Sequence, residues 1–579
     1  MSEENNDILD SSYPLGEGFE VDREGVWFSI PINNEAEIQT VFVCAPLHVM
    51  AYARDDRNEN YSKLLKFLDP DGKEHKWLMP QELLASDGGE LRRILLSKGL
   101  RLGEDKRAKD LLTRYLLSCD PINRVRTIDR TGWHGQMFVL PEETLGKLSG
   151  EKVFYLGPSN TQSIFRAAGT LEDWKKQVAL RCMGNPRLIF SVSTSFAGPL
   201  LAICHEENGG FHFRGTSSSG KTTALHVAAS VFGAKQFIQR WRGTANGLEA
   251  VAKMYNDLVL LLDEMGEIHP KDAGEVAYML GNGTGKARAD KMGGARDKAK
   301  WRLIFLSTGE VSLAQHMMEE KKHARAGQET RIADIPTDVG KFGLFDDLHE
   351  FSDGAAFSNA IKEATREYHG AAGREYIAKL SENFDTIRDS VDAIIDLFVH
   401  ENIPPGSSGQ VKRVGRRFGL IAAGGELATS YGITDWPQGT AREAAKTCFL
   451  DWLNSRGSDK DLEEKTILSR LQHFFESHGN SRFSDWDEDI DVKTYNRAGF
   501  KKNEGVQTQY YVLPEVFRNE VCAGLDWKKA GKLAVDFGFV MPSTDGKSTR
   551  TETLPGFGKM RCYRFVRIPV TGEPEDETP

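Results

Sequence analysis

One segment in the middle of the chain has the composition of a phosphate-binding loop. Residues 215–222, GTSSSGKT, match the pattern GxxxxGK[ST], with a strand-like FHFRG before them and a helix-like run after them. Small residues let backbone N–H groups surround a phosphate, while the helix N-terminus adds partial positive charge. We therefore expect ATP here, with Lys221 on its β- and γ-phosphates and the Thr222 hydroxyl on Mg²⁺; the alternative is a Ser/Gly surface loop. The residues predicted to bind the nucleotide are Gly215, Thr216, Ser217, Ser218, Ser219, Gly220, Lys221, Thr222 and Thr223.

A pair of acidic residues follows the next strongly apolar strand. Residues 258–262, LVLLL, end in Asp263 and Glu264, 42 and 43 residues after Lys221. A carboxylate at the end of a central strand is suited to hold Mg²⁺, so Asp263 is the predicted metal residue together with Thr222. Glu264 is positioned to activate water as a general base. The alternative is a strand that ends in a solvated acidic pair.

A further strand, WRLIFLST, ends in polar residues. Its tip carries Ser307, Thr308 and Glu310, and we select Thr308 as the sensor of the γ-phosphate, although strand ends are often polar. The interval between Lys221 and Asp263 has room for one extra strand at 236–240 and one helix. That order, with Glu beside Asp, is typical of AAA+ motor ATPases rather than small-molecule kinases.

A basic, glycine-rich segment lies between the acidic pair and this strand. Residues 281–301, GNGTGKARADKMGGARDKAKW, hold six basic and two acidic side chains among five glycines. Such a segment binds phosphates without reading bases, and the alternative is a solvated surface loop. The residues predicted to contact nucleic acid here are Lys286, Arg288, Lys291, Arg296 and Lys298.

These motifs together resemble a known family. The chain carries, in order, FHFRGTSSSGKTTALHVAASVFG, TANGLEA, LLLDEMGE, GNGTGKARA, WRLIFLSTGE, GQETRIADIP and QVKRVGRRFGLIAAGGELA. The set resembles a domain-of-unknown-function family of phage, plasmid and chromosomal-island proteins, often fused to primases. That family is similar to mini-chromosome-maintenance and superfamily III ring helicases of the AAA+ class. The resemblance covers about residues 25–455 and implies a hexameric ring with a basic hairpin in its channel. Since no primase-like segment is recognisable here, any primase is expected to be a separate protein.

The resemblance also assigns roles to arginines. It implies that a neighbouring subunit supplies an arginine to each ATP site, for which Arg331 is the first choice and Arg325 the second. Arg413 resembles the second sensor arginine, with Arg416 and Arg417 as competitors. For each of them a surface salt bridge is the alternative.

The last hundred residues form a separate pattern. Amphipathic helix, strand, two helices and strand, with a glycine-rich loop over residues 543–558, predict a winged-helix-like domain. Lys528, Lys529 and Lys532 lie on one side of its penultimate helix and are predicted to contact DNA. A protein-interaction domain is the alternative.

Composition limits the class of protein. The 579 residues are 40% hydrophobic and 27% charged, and the seven cysteines form no CxxC pair, so we expect no zinc cluster or disulfide framework. Net charge is −10, but residues 1–24 hold eight acidic and one basic side chain, and residues 568–579 hold four acidic and no basic ones. The body between these tails is nearly neutral and can hold a basic groove. No apolar run reaches membrane-spanning length and the start is acidic, so we expect a cytoplasmic protein without a membrane partner.

The combined prediction is an α/β P-loop ATPase of the AAA+/ASCE type with flanking domains. The expected divisions are a flexible tail (1–24), an N-terminal α+β domain (25–185), the ATPase core (186–345), a helical lid (346–457), the winged-helix-like domain (458–567) and a second tail (568–579). A TGWHG segment at 131–135 is expected to be a structural turn.

The predicted function is an ATP- and Mg²⁺-dependent helicase or translocase of a mobile element, acting on single-stranded or forked DNA. One alternative is an ATP-switched DNA-binding regulator or defence ATPase without unwinding activity. A weaker one is a P-loop kinase that phosphorylates a small molecule.

Overall fold

The chain has a mixed α/β fold with several sheets, as the sequence predicts. The structure is a computed structural model that describes residues 15–32, 37–147, 151–156, 164–286, 288–289, 295–296, 298–320, 330–456, 462–487, 494–504, 507–523 and 525–568. The chain forms two compact units. Unit 1 comprises Met1–Asn402 with Val414–Ser455, and unit 2 comprises Ile403–Arg413 with Arg456–Pro579.

The N-terminal part of unit 1 is built from three small sheets and two helices. Its elements are β1 (Phe19–Val21), β2 (Val26–Ile32), β3 (Glu37–Cys44), β4 (Leu47–Arg54), β5 (Ser62–Leu68), β6 (Glu74–Pro80), α1 (Gly89–Ser97), α2 (Ala108–Ser118), β7 (Arg124–Ile128), β8 (Gly132–His134), β9 (Met137–Val139), β10 (Thr144–Gly146) and β11 (Lys152–Tyr155). The sheet orders are β1-β2-β3, β10-β9-β8 and β11-β7-β4-β5-β6. Both helices bury leucines, such as Leu95 and Leu112, in one core with β3 to β6.

A five-stranded parallel sheet forms the centre of unit 1. Its strands, with a short hairpin between the third and the fourth, are β12 (Gly209–Arg214), β13 (Ile238–Arg240), β14 (Leu258–Asp263), β15 (Arg288–Ala289), β16 (Ala295–Arg296), β17 (Leu303–Gly309) and β18 (Ile332–Pro336). The sheet order is β13-β14-β17-β12-β18, and β15 pairs only with β16. Strands buried on both faces read as continuous apolar runs, as LVLLL does in β14. Because every pair is parallel, all carboxyl ends lie at one edge.

Helices cover this sheet and continue beyond it. They are α3 (Leu171–Trp174), α4 (Pro186–Ala197), α5 (Leu200–Cys204), α6 (Lys221–Ala229), α7 (Ala245–Met254), α8 (Pro270–Asn282), α9 (Leu313–Met318), α10 (Gly354–Glu367), α11 (Ala371–Glu382), α12 (Ile387–Asn402), α13 (Gly409–Ser430) and α14 (Thr440–Arg456). Local signals set several starts: Thr244 caps α7 through the Gly247 N–H, and Asp353 caps α10 through the Ala356 N–H. Within residues 346–457, predicted to be helical, helices α10 to α14 account for most of the chain.

Unit 2 contains a five-stranded sheet with helices. Its elements after α14 are α15 (Leu462–His478), β19 (Phe483–Asp485), β20 (Gly499–Glu504), β21 (Gln507–Val512), α16 (Pro514–Val516), α17 (Trp527–Asp536), β22 (Arg550–Leu554) and β23 (Gly558–Phe565). The sheet order is β19-β20-β21-β23-β22. Phe474 and Phe475 of α15 pack with Phe517 and Tyr563 in its core.

The structure corrects the sequence-based boundaries in two places. Residues 543–558 are not all loop, because Arg550–Leu554 form β22 and pair with β23. The polar RTETL sequence does not indicate this strand, since β22 is an edge strand whose residues alternate between half-buried and exposed before the buried Leu554. The N-terminal sheet also begins inside the predicted tail, where Phe19 is buried and β1 pairs with β2. Residues 569–579 of the second predicted tail lie outside the described residues.

Candidate nucleotide and nucleic-acid site

The loop between β12 and α6 has the backbone shape that its small residues allow. Ser218 and Gly220 have positive φ angles of 64° and 99°, which fold the chain tightly before α6 begins at Lys221. The Lys221 ammonium lies inside the loop and donates to the carbonyls of Gly215 at 2.8 Å and Thr216 at 2.5 Å. The Thr222 side chain is exposed. A buried lysine held by two carbonyl oxygens and, at 3.4 Å, by the Ser219 hydroxyl is available to an anion that enters the loop.

Residues after β18 support the loop from the other side. The Thr216 N–H donates to the Asp338 carboxylate at 2.7 Å, and the Leu344 N–H donates to the Ser219 carbonyl at 2.8 Å. A Cβ on Gly215 would lie 2.1 Å from Thr337 Oγ1, so only glycine fits there. Asp338 was not predicted from the sequence to be part of this site. Its one available signal was a polar pair, Thr337-Asp338, directly after a strand.

Asp263 and Thr308 meet at the carboxyl ends of neighbouring strands. Thr308 Oγ1 donates to Asp263 Oδ1 at 2.6 Å and accepts from the Glu264 N–H at 3.2 Å. Thr308 is buried, whereas Asp263 is half-buried and Glu264 is exposed. The neighbouring Ser307 instead contacts His212 and Trp241, because adjacent residues of a strand point to opposite faces. The structure thus brings Thr308, not Ser307, to the acidic pair.

The surroundings of Glu264 raise the pKa of its carboxyl group. Burial is the main cause that raises its pKa above the ordinary 4.5, and the charges of Asp263 and Glu310 raise it further, while Lys221 opposes them. Its backbone is left-handed, with φ of 59°, a conformation that a residue with a Cβ rarely adopts. Strained backbone of this kind often occurs at functional sites.

Two further titratable side chains, His226 and Lys362, flank Asp263. Thr223 on α6 and Ser358 on α10 are joined by a 2.6 Å hydrogen bond, and His226 and Lys362 lie one turn further along the same helices. Burial chiefly lowers the pKa of His226 to about 4, with Lys362 as the next cause. Burial also lowers the pKa of Lys362, whereas the Asp263 charge raises it. No sequence signal marked this pair, because it depends on how two helices pack.

The candidate arginines lie away from the phosphate loop. Arg331 precedes β18 at the amino edge of the sheet, where its Nε donates to Asn282 Oδ1 at 2.9 Å. Arg416 forms ion pairs with Glu206 and Asp396, and the buried Arg417 donates to the Thr330 and Asn208 carbonyls. Both belong to the same amino edge, so the structure does not bring either competitor to the loop.

Two candidates for these arginine roles need separate mention. Arg413 lies in the first turns of α13, within unit 2 as the units are divided, and its role stays a prediction. Arg325 lies outside the described residues.

The basic segment is a β-hairpin where its backbone is described. β15 and β16 pair antiparallel, and the ladder continues at its base through the Gly285 N–H and the Ala299 carbonyl. Lys286 forms a 2.8 Å ion pair with Glu275, while the Lys298 side chain is exposed. The side chains of Arg288 and Arg296, and all of Lys291, lie outside the described residues.

The lysines of α17 form one exposed edge of that helix. Asp526 caps the helix, which buries Ala530 and Leu533 and exposes Lys528 and Lys532. Lys529 is half-buried. The spacing of four residues places Lys528 and Lys532 on the same side.

The TGWHG segment, which contains β8, joins the N-terminal sheets to the central sheet. The Trp133 N–H donates to Asp257 Oδ2 at 3.0 Å, and Arg302 Nε donates to Asp257 Oδ1 at 2.7 Å. Thr131 Oγ1 donates to the Met254 carbonyl at 2.8 Å, and a Cβ on Gly132 would lie 2.4 Å from Asp257 Oδ2. The predicted turn is wrong for Gly132–His134, which form β8 and pair with β9, and the turn begins only at Gly135. We call this cluster of Thr131, Gly132, Trp133, Asp257 and Arg302 the interdomain joint.

Comparison with known proteins relates the fold to a helicase structure. Residues 19–300 match a family described as a domain of unknown function (DUF927). No curated protein matches. A solved structure described as "SCCmec type IV Cch - active helicase" has a TM-score of 0.71 and 16% sequence identity, covering 95% of this chain and 97% of that one. At this identity the similarity is one of fold.

A second solved structure is more distant. "The A form apo structure of NrS-1 C terminal region-CTR" has a TM-score of 0.26 and 11% identity over 61% of this chain and 77% of that one, too low to indicate a shared fold.

The family match covers only part of the candidate site. The phosphate loop, Asp263 and Glu264 and the basic hairpin fall within residues 19–300, whereas Thr308, Arg331 and Arg413 follow them.

Across the described residues, no helix is long and apolar enough to cross a membrane.

Proposed function

We propose that this protein is an ATP-dependent DNA helicase or translocase of a mobile genetic element. The observation that carries the proposal is that the Thr308–Asp263 contact and the loop holding Lys221 lie at the same edge of the sheet, at the carboxyl ends of β12, β14 and β17. In open parallel sheets, ligands bind at this edge. A P-loop lysine, a strand-end aspartate and an adjoining glutamate are the parts that ATP hydrolysis requires.

The loop residues would bind the triphosphate. On ATP entry, Lys221 exchanges the Gly215 and Thr216 carbonyls for phosphate oxygens, and backbone N–H groups of 217–221 surround the β-phosphate. Because the lysine is already in the loop, this exchange needs only a small movement of its side chain. Gly215 and Gly220 keep the backbone close enough for these contacts.

Thr222 and Asp263 would hold Mg²⁺. The donor set fits this ion, since a hydroxyl and one carboxylate leave most ligand positions to phosphate oxygens and water. Across the described residues, no group of three or more His, Cys, Asp or Glu side chains is placed to bind a metal alone, which agrees with a site that nucleotide completes. When bound, the ion neutralises charge that develops on the phosphates.

Glu264 would accept the proton of the attacking water. The water oxygen forms a bond to the γ-phosphorus as the bond to the β–γ bridging oxygen breaks, leaving ADP and phosphate, and the water proton passes to Glu264. Thr308 contacts both the Asp263 carboxylate and the Glu264 N–H. A shift of Thr308 towards the γ-phosphate would therefore move metal ligand and base together.

Motor activity is supported by the order of the strands. Thr308 lies near the carboxyl end of β17. The amino end of β17 comes after the hairpin and Arg302 in the chain. The sheet order β13-β14-β17-β12-β18, with β13 inserted beside the Asp strand, is the order expected of the AAA+/ASCE class. Similarity of fold over 95% of the chain to an active helicase supports the same activity here.

The same proposal includes a ring, most simply a hexamer. The Arg331 carbonyl accepts from the Gly210 N–H at the start of β12, and the six residues of β12, at ~3.3 Å each, place Arg331 about 20 Å from its own phosphate loop. It is thus suited to act on a neighbouring subunit rather than on its own. We further propose residues 346–457 as lid, with Arg413 as second sensor, and 458–567 as a winged-helix-like domain that contacts DNA through Lys528 and Lys532.

The experiment that tests the proposal is steady-state ATP hydrolysis with and without single-stranded DNA, followed by strand displacement on a forked duplex. We expect DNA to stimulate hydrolysis, and Glu264→Gln to reduce it at least 100-fold, the lower range for loss of a general base (~10²–10⁴). If no nucleic acid changes the rate of ATP hydrolysis, the motor proposal is rejected in favour of an ATP-switched assembly protein. No hydrolysis by the wild type would reject both.

A further inference from the structure

We infer that the cleft between the N-terminal sheets and the central sheet binds the sugar-phosphate backbone of a single nucleic-acid strand. The inference rests on the proposed function and deepens it by placing Lys298, which was predicted to contact nucleic acid, in one cleft with Arg130 and Lys300, which were not. The cleft has a volume of about 740 Å³ and is lined by residues 55–60 and 127–134 on one wall and by α7 and the hairpin base on the other. This size lies within the ~300–1,000 Å³ typical of ligand sites.

The interdomain joint holds the two walls in place. Asp257 is fully buried and accepts hydrogen bonds from Trp133 on the N-terminal side and Arg302 on the core side. Asn256 Nδ2 adds a 2.8 Å bond to the Thr131 carbonyl. Because these contacts are buried and charge-assisted, the cleft is already formed before a ligand arrives.

Three cations of the cleft are available to an anionic ligand. Arg130, Lys298 and Lys300 line it with exposed side chains, and within the described ranges none of them forms an ion pair. They come from both walls, so a bound strand would be contacted on two sides. Exposed lysines and an arginine on flexible stems suit phosphates rather than base edges.

The carboxylates of the cleft are largely engaged by protein groups. Asp129 pairs with Lys253, and Asp55 accepts from the N–H groups of Arg57 and Glu59. Asp56 lies 3.4 Å from His134. Arg130, Lys298 and Lys300 can therefore still gain an anionic partner, and the exposed Glu59 carboxylate lines the same cleft. The cleft is lined by nearly equal numbers of acidic and basic side chains, which favours the weak, reversible contact that a translocating strand requires.

The position of the cleft connects it with the rest of the motor. Lys298 and Lys300 lie between β16 and β17, so a strand bound by the hairpin would continue into the cleft. Leu303, three residues after Lys300, starts the strand that ends at the Thr308–Asp263 contact. Movement of β17 during the ATP cycle would thus move the cleft wall.

The test replaces the three cations with glutamine in the full chain: Arg130→Gln, Lys298→Gln and Lys300→Gln. The matched control removes three exposed cations of α1 and α2 and of the turn before α2, with Arg93→Gln, Lys106→Gln and Lys109→Gln. Binding of labelled oligothymidine and oligouridine is measured by anisotropy between about 50 and 200 mM salt. Polyglutamate serves as competitor, and basal ATP hydrolysis without nucleic acid is measured beside it.

We expect the cleft variant to bind at least tenfold more weakly than the control variant, with unchanged basal hydrolysis. The slope of log affinity against log salt should fall by about 2, from ~0.7 per lost phosphate contact. Equal losses in the two variants would overturn the cleft assignment while the proposed function stands. Absence of nucleic-acid binding by the wild type would overturn both. Loss of polyglutamate binding alone would instead identify an acidic protein segment as the ligand, and the relative losses of thymidine and uridine strands distinguish DNA from RNA.

Discussion

Thr308 and Asp263 form a 2.6 Å hydrogen bond between the carboxyl ends of β17 and β14. Because the Glu264 N–H donates to the same hydroxyl oxygen, one buried side chain links the proposed metal ligand with the proposed base. Thr308 is almost fully buried, so this arrangement does not depend on solvent.

Thr308→Val should lower kcat for ATP hydrolysis by about tenfold to a hundredfold, the effect of losing a hydrogen bond to a charged group (~1.5–3 kcal/mol). Valine has nearly the same shape but leaves Asp263 without this donor. Thr308→Ser keeps the hydroxyl and should retain most of the rate. A valine variant with wild-type kcat would show that the contact does not matter for turnover.

The raised pKa of Glu264 predicts the pH dependence of hydrolysis. A general base acts when deprotonated, so the rate should increase with pH, and its acidic limb should lie above the ordinary glutamate pKa of 4.5. A profile of kcat against pH measures this limb directly. An acidic limb at or below the ordinary value would contradict the assignment of Glu264 as a base in a partly desolvated site.

The raised pKa of Glu264 should also make the thermal stability of the protein depend on pH. A carboxyl whose folded pKa is raised favours the folded state when protonated, and that contribution is lost as pH rises through the folded pKa. Glu264→Gln should therefore have a higher Tm than the wild type at pH 8 and a nearly equal Tm at about pH 4, below the unfolded-state pKa of ~4.3. The reverse order would mean that Glu264 is held in its charged form.

The interdomain joint predicts a large effect of one arginine on stability. Arg302→Met leaves the fully buried Asp257 carboxylate without its cation, which should cost about 3 kcal/mol in the free energy of unfolding. Burial raises the pKa of Asp257, so the cost should shrink at low pH, where protonation removes the charge. Denaturant unfolding at pH 7 and pH 5 measures both effects.

The control for this prediction is another arginine with an equally short ion pair. Arg240 lies 2.6 Å from Glu267 but is largely exposed, so Arg240→Met should change stability by less than about 1 kcal/mol. If both variants lose the same amount, burial of Asp257 is not the source of the effect.

Removing the charge of Asp338 is expected to tighten nucleotide binding. Its carboxylate accepts from the Thr216 N–H, so a negative charge lies beside the loop that receives the triphosphate. Asp338→Asn keeps an oxygen acceptor and removes the charge, and should strengthen ATP binding about fivefold, or ~1 kcal/mol for one repulsive pair near solvent. Titration with a fluorescent ATP analogue measures the Kd. Weaker binding would indicate that the charge serves to hold the loop rather than to oppose the ligand.

Much of the central sheet was predictable because its signals are local. β14 is a continuous apolar run that ends in acids, and the phosphate loop has glycines where the backbone turns tightly. Residues 550–554 were not predicted as a strand, since an edge strand in unit 2 needs only one apolar face and reads as a polar loop.

The sequence by itself determined the parts that depend on neighbours along the chain: the tight loop from Gly215 to Thr222 and the acidic pair after an apolar strand. Only the tertiary structure decided which distant groups join them. It selected Thr308 over Ser307, set Asp338 against the loop, packed Lys362 near Asp263 and buried Asp257 between Trp133 and Arg302. The physical reason is that such contacts arise from strand order and helix packing, which bring together residues separated by up to 124 positions without leaving a periodic pattern in the sequence.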